Sequence, residues 1–262
     1  MKKSLNILKF AFKEQREYRL NFILGMITMV VNDFIFLAIF VIFLGYFTGT
    51  WLNFGNFLLI HSIIAFQYAI VNWVFSNIWD LPSIIEEGKL DYYLSFPVNT
   101  LKFIVLSKIK VHNFWDVLFA LASMTIYAVS FYEWAWYIFV SKRFIIVFVA
   151  LFFAAGLFIM IWSVSFWLQK WSKVRDLFQS FFLVFGSYPP TIFKSDKLMF
   201  VLISMIGLYP WVYLPYQMIV GNASVRDWII LFVSGALMFL IWIWIFKRWL
   251  RRYSSGNLVV QM

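Results

Sequence analysis

Cysteine is absent from the 262 residues, so this chain can build no disulfide, thiol nucleophile or thiolate metal site. Charge is scarce. Asp, Glu, Lys and Arg make up 13% of the chain, against about 25% in an ordinary soluble domain. That is too little polar surface to cover the chain in water, and too much hydrophobic content for disorder. Histidine occurs only at His61 and His112. They are expected at opposite depths of different spans, which argues against a shared metal site. No phosphate-cradling G-x-x-x-x-G-K-[S/T] loop occurs, since the one Gly-Lys pair, Gly88-Lys89, is followed by Leu90. G-x-S-x-G and H-E-x-x-H are missing as well. No catalytic residue and no metal site is expected, and the chain is not expected to hydrolyse nucleotide.

What is present is apolar. Hydrophobic residues make up 63% of the chain and aromatic residues 23%, with 33 Phe, 14 Trp and 13 Tyr. A helix needs about 20 mostly apolar residues to cross roughly 30 Å of hydrocarbon. Five stretches meet that need: 22–47, 57–79, 111–131, 144–168 and 228–246. A sixth, 174–190, is just long enough. The segment 191–221 is apolar but broken by Gly207, Pro210 and Pro215. Proline removes a backbone donor, so this segment reads as two short helices that dip into the membrane from the outer side. Such a re-entrant hairpin is tolerated where protein or water satisfies its backbone.

The net charge of +10 marks membrane edges rather than a nucleic-acid module. With six spans and both termini cytoplasmic, 17 of the 22 Lys and Arg lie inside. They occupy the N-terminal arm, the segment 80–110, the turn around Lys170, Lys173 and Arg175, and the C-terminus. Lys142, Arg143, Lys194, Lys197 and Arg226 remain outside. A seventh span through 198–220 would leave 14 inside against 8 outside, so the positive-inside bias favours six. Residues 1–21 alternate basic and apolar positions, with Leu5, Leu8 and Phe12 on one face. This predicts an amphipathic helix lying in the inner interface. The first apolar run is too long for the core of a cleaved signal. Residues 253–262 read as a cytoplasmic tail. Trp51, Trp73, Trp79, Trp134, Trp136, Trp171, Trp211, Trp228 and Trp249 fall near expected interfaces and read as an aromatic belt.

Polar residues inside the spans are candidates for function. Asn32 and Asp33 sit mid-way along the first span, and Gln67 and Asn72 lie in the second. A carboxylate at a helix centre costs about 2.5–3.5 kcal/mol on insertion scales and usually faces a cavity or a partner. Interhelical hydrogen bonding is the alternative use of such groups. Asp116 lies about one turn into the third span, and Asp176 opens the fifth. The cytoplasmic segment 80–110 is longer than a simple connection needs. Pro82 can start a short helix in it and Gly88 can end one.

Three motifs carry a family resemblance. The first is I-I-E-E-G-K-L-D-Y-Y-L-S-F-P-V-N at 84–99, the second is G-S-Y-P-P-T-I-F at 186–193, and the third is R-R-Y-S-S-G at 251–256. Together with the topology, they resemble the ABC-2 type permeases, the membrane subunits of ATP-binding-cassette exporters, in their short single-domain subgroup. The resemblance implies an all-α membrane fold of six spans. Residues 1–20 would be its elbow helix, and Ile84, Ile85, Glu86, Glu87, Gly88, Lys89, Leu90 and Asp91 its coupling helix. Asn32, Asp33, Gln67 and Asn72 would border the translocation path. Tyr188, Pro189 and Pro190 would form the turn of an outer lid. It also implies a separate ATPase dimer that binds ATP and Mg, a second permease that is identical or paralogous, and a bacterial cell membrane. A secondary transporter using Asp33 and Asp116 for protons or cations is the rival reading. It would be expected to show inverted repeats, and none is visible. The substrate is not legible.

Overall fold

The computed structural model describes residues 19–46, 54–108, 113–132, 136–168, 171–186, 198, 201, 207–221, 223–251 and 253. Among these the fold is all helix, without a strand. Eleven α-helices follow in chain order. The first two are α1 Arg19–Tyr46 and α2 Phe54–Val74. Four short helices come next: α3 Ser76–Trp79, α4 Leu81–Glu86, α5 Leu90–Leu94 and α6 Thr100–Ser107. Then come α7 Phe114–Tyr132, α8 Trp136–Ser163 and α9 Ser172–Gly186. A widened π-helical turn, Tyr209–Tyr213, leads into α10 Leu214–Val220, and α11 Val225–Leu250 closes the chain.

Among the described residues, three helical stretches are long and apolar enough to cross a membrane: Phe54–Val74, Phe144–Phe166 and Val225–Leu250. Ile23–Ile39 in α1 and Phe114–Ser130 in α7 are shorter apolar stretches. Helix α9 has 15 residues, about 22 Å of axis, and on its own falls short of the hydrocarbon thickness. Residues 187–190, which would complete the expected fifth span, lie outside the described residues. So do 1–18 of the expected elbow helix, and Arg19 to Asn21 already form the first turn of α1.

Helix α8 is the central post. It packs along α11 on one side and against α2 and α7 on the other. The α8–α11 contact is backbone-close at Gly156. A Cβ there would meet Met238 backbone and side-chain atoms at 3.0 Å, which only a residue without a side chain avoids. Helix α11 starts with a reciprocal capping box in which Ser224 and Asp227 each bond the other's backbone N–H. The outward faces of α1 and α11 are apolar, including Phe34, Ile39, Phe232 and Leu240, which suits contact with hydrocarbon.

Two expectations change. The segment after Gly207 does not break at Pro210. Each of Pro210 and Pro215 sits in the first turn of its element, where a missing N–H costs least. The chain is therefore helical from Leu208 to Val220, and much of this stretch is buried. Leu208, Trp211, Val212, Tyr213 and Leu214 are inaccessible to solvent. Trp211 is thus core rather than interfacial belt. It packs on Phe158 at 5.1 Å and Phe182 at 5.7 Å between ring centroids. Trp171 is buried as well, and its Nε1 donates to the Ile161 carbonyl at 2.8 Å. With nearly a quarter of the chain aromatic, the rings must fill the interior as well as its edges.

Candidate functional site

Helical spacing places the polar residues. On α1, Met29, Asn32, Asp33 and Phe36 follow the i, i+3, i+4, i+7 pattern of one face. On α2, His61, Ile64, Ala65, Tyr68 and Asn72 repeat the same pattern over eleven residues, about 16 Å of helix axis. These two stripes face a common cavity of about 450 Å³. Asp116 of α7 and the preceding Asn113 add a third wall, and Trp79 and Gln179 complete it. Asp116 is close enough to Asp33 for their charges to interact. Gln179 Nε2 donates to the Tyr68 hydroxyl.

The cavity is polar and only partly satisfied. Among the described residues, buried Asn113 Oδ1, His61 Nε2 and Asp116 Oδ1 find no hydrogen-bond partner. His61 stacks against Phe36 at 4.9 Å and Phe57 at 5.9 Å, with Phe119 edge-on at 6.3 Å. Among the described residues, no group of three or more His, Cys, Asp or Glu is placed to hold a metal.

Asn32, Asp33 and Asn72 therefore come together, whereas Gln67 does not join them. It lies one residue off the α2 stripe, is fully buried, and its Nε2 donates to the Trp211 carbonyl at 3.3 Å. This is the interhelical use of an amide rather than a path-lining one. His61, Tyr68, Asn113 and Gln179 join Asn32, Asp33 and Asn72 without being path candidates from sequence, and Asp116, a candidate there as an intramembrane acid, lies with Asp33. The period of the α2 stripe was the available signal for His61 and Tyr68. Tyr188, Pro189 and Pro190, the expected lid turn, lie outside the described residues.

The cytoplasmic segment forms a second site. Helix α4 ends in a Schellman motif. Lys89 N–H bonds the Ile84 carbonyl at 2.9 Å, Gly88 N–H bonds that of Ile85 at 3.1 Å, and Gly88 adopts φ 67°. The expected coupling helix 84–91 is therefore not continuous. It is a helix, a left-handed turn at Gly88, and the start of α5. Ile84 and Leu90 are buried and anchor the two halves. Glu87 and Lys89 are exposed and form an ion pair. The hydrogen bond and charge of Glu87 hold the Lys89 ammonium above its usual pKa. Tyr92, Leu94 and Phe96 continue this surface as exposed apolar side chains. Tyr253 lies nearby, its hydroxyl raised above the usual range by partial burial and then by Asp91.

Polar contacts fasten this segment to the spans. Buried Asn77 Nδ2 lies within hydrogen-bonding distance of the Ile104 carbonyl at 2.8 Å, Ser107 Oγ at 2.7 Å and the Tyr93 hydroxyl at 3.1 Å, and shares its two hydrogens among these three acceptors. Lys108 pairs with Asp80 at 2.7 Å. Glu86 accepts from the Ser172 backbone N–H at 3.0 Å, at the N-terminus of α9, where the helix dipole favours a carboxylate. Three residues on, Arg175 donates to the Trp79 carbonyl at 2.9 Å, pairs with Asp176 and lies 5.6 Å over the Trp79 ring. A continuous set of contacts thus runs from Glu86 through the base of α9 to Trp79 and Gln179, two residues of the cavity wall.

Residues 26–256 match the sequence profile of the ABC-2 family transporter proteins. The chain belongs to the ABC-2 transporter family. The ABC-2 assignment makes it the membrane component of a transporter rather than an enzyme in its own right. No curated protein matches the chain.

Proposed function

We propose that this ABC-2 protein is the permease subunit of an ATP-driven exporter. It forms half of a translocation path in a bacterial cell membrane, with six spans and both termini cytoplasmic. ATP and Mg bind on a separate ATPase dimer, and a second permease, identical or paralogous, completes the path. The observation that carries this reading is the joined pair of sites. The surface made by Glu87, Lys89, Tyr92, Leu94 and Phe96 is exposed and mixes charge with apolar rings, as docking surfaces do. It is tied through Glu86, Ser172, Arg175 and Trp79 to a polar cavity between helices. ATPase closure would push on α4 and α5, move the base of α9 and reshape the cavity wall.

Because the native chain has no Cys, a Tyr92→Cys variant gives a single thiol for cross-linking. Cross-linking to the ATPase from position 92, and loss of ATPase binding in a Tyr92→Asp/Phe96→Asp variant, are expected. Full ATPase binding by that variant would count against the docking surface.

The ion-coupled reading draws on one observation, that Asp33 and Asp116 share the cavity. It requires the chain alone to move substrate uphill on a pH or sodium gradient.

A further inference from the structure

The polar groups left unpartnered in the cavity specify what it would hold. Asp33 and Asp116 contribute two carboxylates from different helices, α1 and α7. Among the described residues no Lys or Arg lines the cavity. Arg175 lies over the ring of Trp79 and is taken up by Asp176 and the Trp79 carbonyl. Independently of the acids, Asn113 is 4% exposed, and among the described residues its Oδ1 finds no donor, nor does Asp116 Oδ1. These two oxygens call for hydrogen-bond donors and positive charge, and His61 Nε2, the third unpartnered atom, accepts an N–H when its proton sits on Nδ1. Buried acceptors without donors are costly, and a ligand carrying N–H groups relieves that cost.

The remaining lining mixes uncharged polar side chains, Asn32, Asn72 and Gln179, with apolar and aromatic ones. Phe36, Tyr68 and Trp79 present rings of the kind that attract a cation across their faces. A volume of about 450 Å³ lies toward the small end of the roughly 300–1,000 Å³ range for ligand sites. That excludes a folded or polymeric cargo from fitting whole.

We propose that the cavity between α1, α2 and α7 binds a small organic ammonium ion with an apolar body. Asp33 and Asp116 hold the charge, the Asn113 carboxamide oxygen accepts an N–H, and the rings of Phe36, Tyr68 and Trp79 enclose the hydrocarbon part. This deepens the transporter reading and rests on it for the statement that the ligand is cargo. The binding itself does not depend on an ATPase.

The test uses three probes of one shape: 1-adamantylamine, 1-adamantanol and 1-adamantanecarboxylate. Each is titrated onto the purified chain in lipid nanodiscs, with empty nanodiscs subtracting lipid partition. Saturable binding of the amine, at least tenfold tighter than the alcohol or the carboxylate, is expected. In an Asp33→Asn/Asp116→Asn variant the amine should lose at least tenfold in affinity and bind no better than the alcohol. Equal binding of the three cages to the native chain overturns the proposal, and this comparison needs no variant. Absence of saturable amine binding, or saturable sodium binding that the amine does not displace, overturns it as well. Amine binding without ATPase coupling would keep the site and remove the exporter reading. Coupling without amine binding would do the reverse.

Discussion

Arg175→Met should unfasten α9 from α3 and so uncouple the cytoplasmic segment from the cavity. The magnitude follows from what the guanidinium touches. Its bond to the Trp79 carbonyl is charged and part-buried, a class worth about 1.5–3 kcal/mol. Its partner Asp176 is half exposed, so that pair is discounted to about 0.2–1 kcal/mol. Stacking on Trp79 adds about 0.5–1 kcal/mol. The expected loss is about 2–5 kcal/mol, with the apolar stem of Met retaining the packing of the Arg stem. Arg175→Lys keeps the charge but not the planar fork, and should recover less than half of that loss. Denaturant unfolding in mixed micelles reads the stability, and ATP hydrolysis of the complex reads the coupling. An Arg175→Met protein within about 0.5 kcal/mol of native and fully coupled would refute the clasp.

Three further substitutions test other parts of the account. Gly88→Ala places a Cβ at φ 67° and should cost about 1–2 kcal/mol, read as weaker ATPase binding with intact membrane insertion. Gln67→Leu should lower stability by about 1–3 kcal/mol, because the Trp211 carbonyl loses its donor, while ligand binding in the cavity stays native. A tenfold loss of ligand affinity in Gln67→Leu would return that residue to the path. Gly156→Val should prevent the close approach of α8 to α11 and cost about 1–3 kcal/mol by overpacking, measured as reduced yield and thermal stability. A native melting profile would contradict the packing.

The sequence made some of this legible, for definite reasons. Long apolar runs fix where helices such as α2, α8 and α11 form, because membrane length is a local constraint. Pro82 and Gly88 mark the bounds of α4 because their backbone preferences are local too. What needed the structure depends on contacts between distant residues. Gln67 and Asn72 look alike in composition, yet five residues on a helix turn them to different faces. Trp211 reads as an interfacial ring in the sequence, whereas Phe158 of α8 packs against it in the core. Arg175 resembled one more inside-positive charge. Its partner, the Trp79 carbonyl, lies 96 residues away and leaves no trace in any motif. The convergence of Asp33 and Asp116 has the same origin, since no local pattern says that α1 and α7 share a cavity.

The central claim is that work reaches this chain from an ATPase seated on the segment around Gly88. The direct measurement is ATP hydrolysis by the ATPase in nanodiscs, with the native chain, with the Tyr92→Asp/Phe96→Asp variant, and without the chain. The account predicts that the native chain raises the rate and that the variant, inserted to the same level, leaves it within twofold of the chain-free value. Full stimulation by the variant, or uphill substrate movement by the chain reconstituted without any ATPase, would contradict it.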